Sequence, residues 1–213
     1  WVTTGVPIVF LTRYTHKKTM SYHIYTTDGI VLKRQVFGEA NILLHILTTD
    51  LGLIIASARS ARLSASKLKG ALQEYQHISV SCVKGKNGWK ITNVSDKESF
   101  FFNYPEHSRR VLAQVTSLLL QMITGESPHP EIFKTVKTGF EFLKNVDGKD
   151  IPSFETLIVL RILHKLGYVA TTPETAYFLA ESELWSSSIL EQTRENKENL
   201  TKLINKALKE SHL

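Results

Sequence analysis

The chain has 213 residues, 42% of them apolar, a formal net charge of +6 and one cysteine, Cys82. This length suits one large domain or two small ones. No apolar run reaches the roughly eighteen residues of a membrane-spanning helix, and a lone cysteine excludes an internal disulfide framework or a thiolate zinc site.

Residues 1–19 hold a short apolar run, Gly5 to Leu11, followed by Arg13, Lys17 and Lys18, the reverse of the order in a secretory signal. They are expected to be an ill-ordered extension ahead of a start at Met20, and the protein is expected to be cytoplasmic. The charge is uneven beyond this point. Residues 20–97 hold ten Lys/Arg against five Asp/Glu, and residues 98–213 hold thirteen against fifteen. The split divides the chain into a basic domain over 20–97 and a slightly acidic one over 98–213.

Strand patterns open the basic part. Ile30 and Leu32 alternate with polar neighbours, Phe37-Gly38-Glu39 turns the chain, and Ile42, Leu44 and Ile46 alternate again. Asp50-Leu51-Gly52 connects to a third strand, Leu53 to Ala56, and Ser64 to Leu72 reads as one short helix. Tyr75 to Val83 and Trp89 to Val94 flank an Asn87-Gly88 hairpin turn. Three strands, a helix and two strands make the layout of an OB barrel, which closes to hide its strand edges.

From Glu106 the apolar period becomes helical. Val111, Leu112, Val115, Leu118, Leu119 and Met122 form one stripe, and Gly125 ends it. Beyond the Pro128-His129-Pro130 turn, Ile132, Phe133, Val136, Phe140 and Leu143 form a second. A third helix, capped by Ser153, is apolar on nearly all sides and should be the centre of a bundle, with Arg161 at an edge or paired with an acid. Ser188 to Glu191 reads as a capping box opening a last helix that carries Leu200, Leu203, Ile204, Ala207 and Leu208. The fold class is therefore α+β, a five-stranded OB barrel followed by an α-helical domain.

No phosphate loop, nucleophile elbow or metalloprotease helix occurs. The histidines are scattered, and the carboxylate pairs Glu181/Glu183 and Glu195/Glu198 suit a solvated helix face. An enzyme is not expected, nor a cofactor or a metal. The basic residues are the informative set: from Asp50 to Glu74 the chain carries Arg59, Arg62, Lys67 and Lys69 and no acid between those ends. Lys33 and Arg34 end the first strand pattern, and Lys84, Lys86 and Lys90 flank the hairpin. On one side of a barrel these nine would track a phosphate backbone; the alternative is a solvated rim. Phe37, Tyr75 and Trp89 are candidates for base stacking, although aromatics in small barrels commonly fill the interior. An RNA-binding barrel and a protein-interaction adaptor are the competing readings.

Thr27-Asp28-Gly29-Ile30-Val31-Leu32-Lys33, Gly38-Glu39-Ala40-Asn41, Ala58-Arg59-Ser60 and Ser66 to Gln73 resemble the RecO family of bacterial recombination mediators. Pro128 to Phe133 and Leu160 to Tyr168 extend the resemblance into the helices, over roughly residues 22–168. It implies binding to single- and double-stranded DNA, annealing of complementary strands, no covalent catalysis, and a location at the nucleoid. The implied partners are RecR and the C-terminal tail of single-stranded DNA-binding protein, with the recombinase being helped onto coated strands. Many relatives carry a four-cysteine zinc module after the Leu-Gly-Tyr segment. Val169 to Ser188 holds no cysteine.

Overall fold

The computed structural model describes residues 23–62, 68–100, 104–180 and 185–211, the side chains of Leu68 and Lys69 excepted. The expectations for residues 1–19, for the first part of the short helix and for Glu181 and Glu183 lie outside these residues.

Five strands, β1 (Ile24–Phe37), β2 (Asn41–Thr48), β3 (Gly52–Ala58), β4 (Gln76–Gly85) and β5 (Gly88–Ser99), close into a barrel in the order β1-β2-β3-β5-β4, and α1 (Leu68–Ala71) lies between β3 and β4. All pairings are antiparallel except β3 with β5, which closes the barrel through Ala56↔Trp89 and Ser57↔Lys90. Val31, Ile42, Leu44, Ile46, Ile54, Ala56, Val80 and Cys82 point inward and pack together. Burial pushes the Cys82 thiol up to about 12, so it stays protonated and serves as a small apolar filler.

A bulge sets which β1 side chains face out. Val31 pairs with Ile46 but Lys33 pairs with His45, so one extra residue, Leu32, is inserted and the in-out alternation reverses. Without it Lys33 would follow Val31 into the barrel. With it Lys33 turns outward, and Arg34 falls opposite the inward Leu44.

The helices are α2 (Glu106–Met122), α3 (Pro130–Leu143), α4 (Ile151–Lys165), α5 (Ala176–Leu179), α6 (Ser187–Glu195) and α7 (Lys197–Glu210). The bundle centre is α4, which touches every other helix from α2 to α7 and buries ten of its residues. Three local expectations need correction. Ser153 lies inside α4, which starts at Ile151 with Pro152 in its first turn, where a missing N–H costs nothing. The last helical region is two helices broken at Asn196, and its N-cap is Ser186, whose hydroxyl accepts from the Ile189 amide. Of the two alternatives for Arg161, an edge or an acid partner, the edge is excluded: the residue is buried, its Nε donates to the Phe178 carbonyl at 2.9 Å, and its guanidinium lies 4.4 Å from the centre of the Trp185 ring.

The outer wall of the barrel and the helices share a second core. Ile30, Leu32, Leu47 and Leu53, on the outside of β1, β2 and β3, belong to the same apolar cluster as Val115, Leu119, Ile132 and Phe133. Phe100 continues it, edge-on to Tyr104 and Phe140, and the Tyr104 hydroxyl donates to the Phe140 carbonyl at 2.6 Å.

Candidate nucleic-acid interface

The outer face of β1, β2 and β3 is divided. One half is covered by the helices, and the other is open. In the open half, direct cross-strand partners form rows, because paired residues project to the same side of a sheet. The first row is Lys33, His45 and Ile55; the second is Gln35, Leu43 and Ser57, with Lys90 of β5 beside Ser57; the third is Phe37 and Asn41. Phe37 is 57% exposed and Ile55 49%, so both present apolar surface to water on this face. Rows two residues apart are separated by about 6.8 Å along the strand, twice the roughly 3.4 Å rise of a strand in duplex DNA. A single strand must therefore unstack to place one base over each row, and a duplex can offer this face only its phosphates.

At the end of the face the two loops are stitched together. The Arg62 amide donates to the Ala40 carbonyl, and its guanidinium Nη1 donates to the carbonyls of Gly38 and Glu39 at 3.2 and 2.7 Å. The Asn41 side-chain oxygen accepts from the Ser60 amide. The geometry of the guanidinium is set by carbonyls, so Arg62 rigidifies the two loops. Arg59 is exposed beside it.

The nine basic candidates do not form one uniform flank. Lys33, Lys90, Arg59 and Arg62 border the open rows. Arg34 lies on the other side of β1, its amide donating to Glu74 and its Nε buried without a hydrogen-bond partner. Lys84 points to the helices, where its ammonium meets Glu126 at 2.5 Å and lies 5.3 Å from the centre of the Trp89 ring. Lys86 is exposed at the hairpin tip. Lys67 and the Lys69 side chain lie outside the described residues.

The aromatic candidates separate likewise. Phe37 is open. Trp89 is 4% exposed, fills the barrel interior and meets Tyr25 edge-on. Tyr75 holds φ +61, donates its amide to Val31 and accepts from the Phe100 amide, so it ties β1 to the end of β5. Sequence reasoning misses Leu43, His45 and Ile55, which read as the unremarkable half of an alternation. The signal was there in principle, since their neighbours Leu44, Ile46 and Ile54 take the interior.

Elsewhere a cleft between α3 and α4 is lined by Glu131, Lys134, Arg161, Lys165, Leu179 and Trp185, with the Lys165 ammonium 4.0 Å from the Glu131 carboxylate. The stretch after α4 does not fit a zinc module. It lacks cysteine, no group of His, Cys, Asp or Glu among the described residues is arranged to hold a metal ion, and the turn is held by Thr175, whose hydroxyl donates to the Ala170 carbonyl and accepts from the Thr172 amide. No helix among the described residues is long and apolar enough to cross a membrane.

A closed barrel of strand order 1-2-3-5-4, with a helix between its third and fourth strands and a helical bundle behind it, defines an OB-fold protein with an appended α-helical domain. Residues 20–100 match the family model described as Recombination protein O N terminal. Among curated proteins, the chain is 28% identical over 145 residues to the DNA repair protein RecO of Heliobacterium modesticaldum, covering 68% of this chain and 52% of that one. It is 32% identical over 130 residues to that of Dehalococcoides mccartyi (61% and 51%) and 30% identical over 159 residues to that of Gloeothece citriformis (70% and 53%). The barrel thus matches the RecO N-terminal domain, and the chain is similar to these DNA repair proteins. It spans about half the length of these relatives.

Proposed function

We propose that the chain acts in DNA repair and recombination, binding single- and double-stranded DNA through its barrel and bringing complementary strands together. The observation that carries this reading is the open half-face of β1, β2 and β3. Exposed apolar groups there are bordered by Lys33, Lys90 and Arg59, on a barrel whose sequence matches the N-terminal domain of RecO. Annealing asks a protein to neutralise phosphate repulsion while leaving bases free to pair. A face with one open aromatic ring and cations at its margins holds a strand loosely enough for that. The work needs no covalent step.

The partner reading extends to RecR, the recombinase and the tail of single-stranded DNA-binding protein. For the tail, we infer the cleft between α3 and α4, whose Leu179 and Trp185 walls suit an apolar peptide segment. Annealing of complementary oligonucleotides by the full chain, with and without single-stranded DNA-binding protein and across a salt series, tests the proposal. Acceleration that fades with salt is the expected result. No acceleration, or a strong preference for RNA of the same sequence, would refute it.

A further inference from the structure

On the open face, His45 of β2 is the direct partner of Lys33 on β1 and of Ile55 on β3. Two nitrogen-bearing side chains thus stand side by side, their Cβ atoms about 5 Å apart, with an exposed apolar group completing the row. Resting on the strand-binding reading above, we propose that His45 is a proton-linked phosphate contact: a DNA strand laid across this row binds the imidazolium and Lys33 together, so that binding takes up a proton at this ring.

The argument is one of linkage. In the free protein the His45 pKa is lowered, first by burial and then by the neighbouring Lys33 charge, so the ring rests neutral near pH 7. The charged group acting on it is Lys33 from β1; β3 presents Ile55, and the next row offers Gln35 and Leu43, neither charged. An anion over the row reverses the balance, because it attracts both cations and cancels the repulsion that kept the ring neutral. Affinity must then rise as pH falls through the range in which histidine titrates. A neutral ring that only stacks on a base would give no such rise.

The test is the affinity of the full chain for a fluorescent oligo-dT at fixed low salt between about pH 7.5 and 5.5, for the parent, His45→Gln and Lys33→Gln. The parent should gain about fivefold or more on acidification, a modest coupling between two sites. His45→Gln should show no gain on acidification, whatever its affinity at pH 7.5. Lys33→Gln should bind more weakly throughout and move its rise to higher pH, an effect that simple damage to the fold would not produce. An identical pH profile in parent and His45→Gln overturns this inference while leaving strand binding intact. No binding by the parent at any pH overturns both.

Discussion

The backbone of Ser127, between α2 and α3, occupies the space where a side chain on Gly52 would begin: a Cβ there would lie 2.3 Å from the Ser127 carbonyl oxygen. Gly52 also holds φ +72 in the turn from β2 to β3. Barrel and bundle therefore meet backbone to backbone at this point. Gly52→Ala must both adopt a left-handed conformation, at a cost of about 1–2 kcal/mol, and push the loop away. A total loss of about 3 kcal/mol or more is expected, read as a drop in the urea midpoint; a change under about 0.5 kcal/mol, the range of a neutral surface substitution, would contradict the contact.

Cations at the open rows and cations elsewhere should behave differently. Lys33→Ala and Lys90→Ala should each weaken strand binding and lower the slope of log affinity against log salt by about 1. Phe37→Ala should cost about 1–3 kcal/mol of single-strand affinity with little change in that slope. Lys84, already held by Glu126, should matter much less when replaced. Equal losses for Lys84→Ala and Lys33→Ala would place the strand on another surface.

His77 gives the fold a pH dependence. It is buried, parallel to Phe100, with Nε2 3.6 Å from Asp28, and Asp28 is itself gripped by Lys97 at 2.7 Å. Burial pushes the imidazole below its ordinary value despite the opposing pull of Asp28. The folded state thus prefers the neutral ring. Stability is fully present above the unfolded value of about 6.5 and declines as pH falls through it toward the lower folded value. Unfolding midpoints measured at pH 8 and pH 5.5 should fall for the parent and fall less for His77→Gln. Parallel declines would assign the effect to other groups.

The turn after α4 depends on one hydroxyl. Thr175 is 1% exposed, and its side chain joins Ala170 and Thr172. Thr175→Val should destabilise by about 0.5–1.5 kcal/mol, since it removes the hydroxyl's bonds to the Ala170 carbonyl and the Thr172 amide. A chelator should leave the melting temperature unchanged, and a clear decrease on chelation would show that metal holds this region.

The succession of strands along the chain, the hairpin and the central apolar helix are readable from the sequence, because inward residues recur at spacings of two in the barrel and three to four in the bundle. The orientation of Lys33 is not. It depends on the Leu32 bulge, and a bulge becomes visible only when two strands are laid in register. Arg62 looks like part of a phosphate track, yet its carbonyl partners come from the β1–β2 turn, more than twenty residues away in sequence. Ser153 and Ser188 both look like caps and are passed over, the first because Pro152 can start α4 earlier, the second because Ser186 reaches the Ile189 amide. Arg161 in an apolar helix reads as an intruder until Trp185 and the Phe178 carbonyl come to meet it.

Ile30, Leu32, Leu47 and Leu53 give the barrel an oily outer wall that only the helices keep from water. The barrel is for that reason no free-standing cassette: cut after residue 100 and grafted elsewhere, it would carry a greasy flank directly beside its open rows, and copies would stick to one another through the surface that the bundle now upholsters.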